Sequence, residues 1–318
     1  MTVELAGLRL AHPIINGSGT FDAIAARRAF GDALTDAFPF SAFVSKTITL
    51  AERAGNPPPR LWETGAGLLN SIGLPNKGLE AYLAEDLPEL AEICAVASVT
   101  AGTDGSAGAR GVPLITNVMG SSAEELVELS AACSQRAEIA AVELNVSCPN
   151  VSTGLDIGAD PEQLKAVVAA VRDHVAKPLI VKLTPNTADV AACALAAQDA
   201  GADAVSLINT LRGAALAPGR AGGSAMPWLG GGTGGLSGPA IRAVALAQVA
   251  AVAARASIPV IGMGGVQTAA HARDLLDAGA TLVAVGTESF RDPAAGARIA
   301  RELLDPVPPR VGRSFLRS

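Results

Sequence analysis

The residues able to do chemistry gather at the ends of short apolar runs. Cys148 follows one such run, in Glu143-Leu144-Asn145-Val146-Ser147-Cys148-Pro149-Asn150. A thiol works as its thiolate, and a reference pKa of about 8.5 suits it to be a nucleophile or a base once a neighbouring cation favours the anion. Most cysteines are inert apolar groups, and that reading fits Cys133 and Cys193, both in helical apolar patterns, and Cys94. Cys148 differs, because polar Ser147 and Asn150 flank it on a segment closed by Pro149. Two lysines end other runs: Lys46 in Ser45-Lys46-Thr47, and Lys182 in Ile180-Val181-Lys182-Leu183. A lysine embedded in an apolar run needs an anionic partner to stay charged. Asn117, Asn145 and Asn209 end three more runs, and each amide supplies both a donor and an acceptor. Ser18 ends the first run, and Gly264-Gly265 and Gly286-Thr287 end the last two. Backbone without a Cβ approaches phosphate oxygens closely, and a helix opening near Thr268 adds its positive end. His12, His174 and His271 lie outside this set and read as surface or capping residues.

Elements that would hold these residues follow from punctuation. Four runs open on proline: Pro13-Ile14-Ile15, Pro113-Leu114-Ile115, Pro178-Leu179-Ile180 and Pro259-Val260-Ile261. Proline is tolerated at a strand's first residue and keeps its predecessor extended. Asp199-Ala200-Gly201-Ala202 and Asp277-Ala278-Gly279-Ala280 each precede a further run, with the glycine placed where a helix ends in the left-handed conformation. Strands are predicted near 14–18, 42–47, 113–118, 141–146, 179–184, 204–209, 259–263 and 282–286. They are near-continuous apolar runs, as parallel strands buried on both faces require. Helices fall between most of them, capped by Ser122, Asp160, Thr187, Ser237 and Thr268. Eight strands alternating with helices predict an α/β fold of the (β/α)8 TIM-barrel type, with the active site at the strands' carboxyl ends. A doubly wound sheet would call for a glycine fingerprint after the first strand, and Ile14–Thr20 has none.

At 318 residues the chain fits one barrel domain, 1–318, since such barrels run from about 200 to over 400 residues with insertions. Two gaps, Ile48–Val112 and Thr210–Ile258, are too long for ordinary βα units and would lie on the carboxyl-end face. Within the first, the Gly-, Ala-, Ser- and Thr-rich stretch around 95–111 predicts a flexible surface loop. Within the second, the Gly230–Gly235 string reads equally as a loop needing positive φ. Net charge is −6 with no basic run, which argues against a nucleic-acid partner. The longest charge-free stretch, Ala221–Ile241, carries eight glycines and is no membrane span. Met1–Leu10 has no basic start, so no leader is expected. The four cysteines form no C-x-x-C pair, which argues against a metal site held by this chain and fits a reducing, cytoplasmic setting.

Taken together, Ser45-Lys46-Thr47, Gly55-Asn56-Pro57-x-Pro59-Arg60, Asn70-Ser71-Ile72-Gly73-Leu74, Asn145-x-Ser147-Cys148-Pro149-Asn150, Ile208-Asn209-Thr210, Gly234-Gly235-Leu236-Ser237-Gly238-Pro239 and Gly262-Met263-Gly264-Gly265 resemble the dihydroorotate dehydrogenases of class 1, B-type, over nearly the whole chain. The resemblance implies an FMN enzyme that oxidises (S)-dihydroorotate to orotate in pyrimidine (UMP) biosynthesis. By similarity, Cys148 is the base that takes the C5 proton, with Lys46 and Lys182 completing the catalytic set. Substrate contacts would come from Lys46, Asn70, Ser71, Ile72, Gly73, Leu74, Asn145, Asn150, Asn209 and Thr210. FMN would be lined by Ser18, Lys46, Thr47, Asn117, Asn145, Lys182, Ile208 and Gly238, and its phosphate held by Gly264, Gly265, Gly286 and Thr287.

The B-type is similar to proteins with a homodimer core inside a heterotetramer. There a second subunit carrying FAD and a 2Fe–2S cluster passes electrons to NAD. Apart from a tRNA-dihydrouridine synthase, an FMN barrel with a cysteine that needs a basic groove this acidic chain does not offer, three other readings compete. One is an A-type enzyme that reduces fumarate. Another is the FMN domain of dihydropyrimidine dehydrogenase, whose motif tends to end Cys-Pro-His where this chain has Cys148-Pro149-Asn150. The third is a Schiff-base aldolase barrel using Lys182, which has no use for two glycine phosphate sites beside Cys148.

Overall fold

The apolar runs become strands. The structure, a computed structural model, describes residues 2–99, 110–146, 157–217 and 225–304. Among them eight parallel strands alternate with eight helices in the order β1 (Ile14–Asn16), α1 (Ala23–Phe30), β2 (Phe43–Val44), α2 (Leu87–Val96), β3 (Leu114–Val118), α3 (Ala123–Ser134), β4 (Ala141–Asn145), α4 (Pro161–Arg172), β5 (Leu179–Lys182), α5 (Val190–Asp199), β6 (Ala204–Leu207), α6 (Arg242–Ala253), β7 (Val260–Met263), α7 (Ala269–Asp277), β8 (Leu282–Val285) and α8 (Ala295–Leu304). Hydrogen bonding runs β1-β8-β7-β6-β5-β4-β3-β2, so the sheet curls until its two edge strands meet. This is the (β/α)8 barrel the strand count predicts.

The last seam is closed by a side chain. Asn16 Oδ1 accepts from Val44 N at 2.8 Å, and Asn16 Nδ2 donates to Val44 O at 2.8 Å. The carboxamide thereby copies the donor and acceptor of a strand residue, and Ser41 N adds a bond to Ile14 O at 3.0 Å.

Residue parity along each strand divides the core. Outward residues such as Val142, Leu144, Val181 and Val205 pack on the helices. Inward Ile15, Val44, Ile115, Ala141, Ile180, Ala204, Ile261 and Leu282 fill the barrel. An amino-terminal hairpin, Val3–Leu5 with Leu8–Leu10, adds Leu5 and Leu10 to that inner cluster. Aliphatic side chains dominate, as a chain with 3% aromatics must arrange; Phe21, Phe38, Phe40 and Phe43 form one edge-to-face group.

Helix ends mostly obey their caps. Ser122, Asp160 and Thr268 accept from backbone N–H groups of the first turn, and Gly201 and Gly279 take φ of 92° and 104°. Two expected caps are wrong. Asp189, not Thr187, caps α5, since its carboxylate accepts from Ala192 N at 2.9 Å. Ser237 lies in a strand, and α6 is entered from Gly238 through the short turn Pro239–Ile241. His12 is also misplaced by the sequence reading. It is 2 % exposed, and its Nδ1 accepts from Ile14 N at 3.2 Å.

Both long insertions leave the carboxyl ends of strands, and they join. Leu61–Thr64 and Gly67–Asn70 from the first pair antiparallel with Gly234–Ser237 and Leu211–Gly213 from the second, giving a four-stranded side sheet. The Gly230–Gly235 string, expected as loop, therefore ends in strand. Residues 100–109 of the expected surface loop lie outside the described residues.

Candidate active site

Inside the barrel the filling changes from apolar to polar toward the carboxyl ends. Asn117, Glu143, Lys182 and Ser206 all lie within the strands, all are 6 % exposed or less, and strand parity sends them inward. Asn117 Nδ2 donates to Glu143 Oε2 at 2.6 Å, and Ser206 Oγ donates to Glu143 Oε1 at 2.6 Å. Two groups in this layer are left over. Asn117 Oδ1 is buried with no hydrogen-bond partner among the described residues. Lys182, 6 % exposed, has no hydrogen bond or ion pair among the described residues. Buried polar groups are normally satisfied, so an unpaired acceptor and an unpaired ammonium make this layer a candidate ligand site.

Around this layer stand the strand-end residues. Ser18 Oγ donates to Ser45 O at 2.8 Å and lies 3.3 Å from Thr47 Oγ1. Asn145 Nδ2 reaches Thr47 Oγ1 at 3.5 Å. Lys46 is exposed, with no ion pair among the described residues. Thr210 is held from β5's side: Asn186 Nδ2 donates to Thr210 O at 3.1 Å, and Arg212 N donates to Asn186 Oδ1 at 2.9 Å. Asn209 accepts from Thr210 N through Oδ1 at 2.8 Å.

The Asn70–Leu74 loop is gripped from both flanks. Asn70 Nδ2 donates to Gly235 O at 3.1 Å, across the side sheet. Asn56 N donates to Ile72 O at 3.0 Å, and Asn56 Nδ2 to Ser71 Oγ at 2.9 Å. Asn76 Nδ2 donates to Leu74 O at 2.9 Å. Asn56 and Asn76 are positioning residues outside the expected site residues, although Asn56 stands in the Gly55–Arg60 motif; Asn186 and Glu143 are likewise not among them. Glu143 had a signal of its own: like Lys182, it is a charge in an apolar strand.

A cleft on the same face is lined by Gly67, Gly238, Gly265, Thr287, Glu288 and Arg291, among others. Gly265 has φ of +70°, and a Cβ there would fall 2.9 Å from Gly238 O and 2.7 Å from Arg242 Cβ. Only glycine fits, and the backbone is left bare toward the cleft. Thr287 Oγ1 lies 2.9 Å from Ser237 Oγ, so the eighth-strand turn is tied to the side sheet. Glu288 is occupied elsewhere, accepting from Gln267 Nε2 at 2.9 Å and facing Arg298 at 3.8 Å. Backbone amides and Arg291 suit a phosphate here. Gly264 and Gly286 lie beside the cleft rather than in its lining, and Gly264 packs on Ile208.

Cys148 and Asn150 lie outside the described residues; Asn145 and Val146 deliver the chain to them from β4. The other three thiols are buried, and burial pushes Cys94 and Cys133 up to about 12, as inert packing groups require. No helix among the described residues is long and apolar enough to cross a membrane. Those residues also hold no cluster of three or more His, Cys, Asp or Glu side chains fit for a metal.

Fold and mouth together define a (β/α)8 barrel with a glycine-lined cleft at its seventh- and eighth-strand turns and, among the described residues, a buried lysine without a partner. Comparison with known proteins gives the family. The dihydroorotate dehydrogenase family model matches residues 1–306, and the chain belongs to that family, whose members are oxidoreductases acting on CH–CH bonds. A relative from Pelobacter propionicus, the catalytic subunit of dihydroorotate dehydrogenase B (NAD(+)), is 45% identical over 95% of this chain and 91% of its own length. Proteins of the same name from Geobacter sp. strain M21 and Geobacter sulfurreducens are 42% and 41% identical, each over 95% of this chain and 92% of their own. The word "subunit" places those relatives in multi-subunit enzymes.

Proposed function

We propose that this chain is the catalytic subunit of a B-type dihydroorotate dehydrogenase, oxidising (S)-dihydroorotate to orotate with bound FMN. The observation that carries the reading is the pairing of Lys182's unpartnered ammonium with Asn117's unpartnered oxygen at the barrel mouth, beside a glycine-lined cleft. FMN has what each lacks: a ring edge of carbonyls and N–H, and a phosphate. Residues toward the ring would be Ser18, Lys46, Thr47, Asn117, Asn145, Lys182 and Ile208. Gly264, Gly265, Gly286 and Thr287 would hold the phosphate, with Gly238 lining the FMN beside them.

Bound FMN supplies the hydride acceptor. The chain's own residues do the rest. Cys148 takes the proton from substrate C5, a step that its thiolate form would carry out. Lys182 holds a positive charge where negative charge develops, and its desolvation strengthens that interaction. Lys46 offers an exposed ammonium to the substrate carboxylate. The Asn70–Leu74 loop, with Asn145, Asn150, Asn209 and Thr210, orients the ring through amide and hydroxyl groups. One barrel carries these parts, with residues 1–318 as a single unit and an insertion at about 95–111. Electrons leave to NAD through a partner subunit carrying FAD and a 2Fe–2S cluster, on a homodimeric core in the cytoplasm.

Anaerobic stopped-flow tests the reading. Dihydroorotate should bleach the flavin absorbance, and NAD should restore it only with the partner subunit present. Cys148→Ala should keep FMN and lose most of the bleaching near neutral pH. Bleaching by dihydrouracil but not dihydroorotate would overturn the substrate. Re-oxidation by fumarate without a partner would overturn the B-type assignment.

A further inference from the structure

Glu143 has no place in the chemistry above, yet it is a buried charge in the middle of the barrel. Its carboxylate takes one hydrogen bond from β3, through Asn117, and one from β6, through Ser206. Ser206 stands in register with Lys182 on β5, so the three-residue bridge spans the floor of the mouth. A carboxylate accepts at both oxygens and donates at neither. It therefore decides which way Asn117 faces. The NH2 end must point to Glu143, and the oxygen must point away. The two orientations of an asparagine amide are otherwise nearly the same shape, and only the hydrogen-bond partner tells them apart. The oxygen so directed is the buried atom that has no partner among the described residues.

We propose that Glu143 is a positioning residue that locks Asn117 as an obligatory acceptor, so that the barrel selects a cofactor ring bearing an N–H at that place. The proposal rests on the FMN reading, because the flavin pyrimidine edge carries one N–H between two carbonyls. With Glu143 in place, Asn117 cannot turn to serve a ring that has no N–H there. The acceptor would then stay buried and unpaired, and a site of that kind rejects the analogue strongly.

The full chain, freed of flavin, is titrated with FMN and with 3-methyl-FMN, whose ring N–H is blocked, and flavin fluorescence is followed. The wild-type chain binds FMN at least about tenfold more tightly. In Glu143→Gln the new amide can donate to Asn117, which is then free to turn, and the preference falls below about threefold. Ser206→Ala leaves the Asn117–Glu143 bond and keeps the preference. A wild-type chain that binds both flavins equally overturns the proposal while leaving the FMN reading intact. So does a Glu143→Gln chain that loses affinity for both but keeps the full preference, since Glu143 would then be structural only. If Glu143→Gln does not fold, Asn117→Leu decides, because a leucine chain that still discriminates removes the acceptor from the argument. A chain that binds neither flavin sinks the FMN reading and the proposal together.

Discussion

Asn16→Ala puts the closure of the barrel to the test. The wild-type carboxamide makes two bonds of 2.8 Å to the backbone of Val44, at a seam where Asn16 and Val44 are 0 % and 2 % exposed. Alanine removes both and leaves the Val44 N–H and C=O facing β1 with nothing to bond. Each orphaned buried group costs about 1–3 kcal/mol, so the pair costs about 2–6 kcal/mol. A domain is stable by only about 5–15 kcal/mol, so the loss is large. Urea unfolding should show a lower midpoint with an unchanged slope, because the surface exposed on unfolding is the same. FMN affinity should fall too, since Ser18 and Thr47 stand together at the top of this seam. Asn16→Asp is a sharper probe. It keeps an acceptor for Val44 N but sets a carboxylate oxygen against Val44 O and buries a charge. It should be at least as damaging as alanine. An alanine chain within about 1 kcal/mol of wild type, or an aspartate chain as stable as wild type, would refute the stitch.

Two further outcomes follow from the described geometry. Gly265→Ala forces a Cβ to within 2.9 Å of Gly238 O at φ of +70°. FMN should bind at least about tenfold more weakly while riboflavin, which lacks the phosphate, is little affected; fluorescence titration showing both weakened alike would move the defect away from the phosphate. Burial lowers His12 to about 4 from 6.5, so the folded chain resists its protonation more than the unfolded chain does. Stability from this group is intact above pH 6.5, drains away as pH falls toward 4, and is lost below it, about 3 kcal/mol in all. His12→Asn should flatten that part of the pH–stability curve, and curves that run parallel for the two chains would count against it.

All eight barrel strands could be read from the sequence, because a parallel strand buried on both faces needs an unbroken apolar run and several here open on proline. Caps were harder. Thr187 and Asp189 are equally good residue types two positions apart, and only the extended backbone at Asp189, φ −141°, decides between them. The side sheet was invisible. Leu61–Thr64, Gly67–Asn70, Leu211–Gly213 and Gly234–Ser237 are three or four residues long, three of them glycine-bearing, and all without clean alternation. Leu61–Thr64 and Leu211–Gly213 each pair with a near neighbour, and the sheet is made one by the pairing of Gly67–Asn70 with Gly234–Ser237, more than 160 residues away. Lys46, Lys182 and Cys148 stood out in the sequence because a lysine or a polar-flanked cysteine at the end of an apolar run is unusual. Asn16, Asn76 and Asn186 did not, because asparagine in a loop or strand end is ordinary until its partners are known.

That distant pairing bears on the order in which the chain folds. Asn70 and Gly235 close a loop that contains β3, β4, β5 and β6. Bringing the ends of so long a loop together is entropically costly for an open chain and becomes cheap once the intervening strands have assembled and shortened the path. The neighbouring barrel contacts, such as Val44 with Ile115, span far less sequence. The side sheet should thus form after β3, β4, β5 and β6 have assembled, with the Asn70–Leu74 loop and the Gly238 edge of the cleft taking shape in that later step.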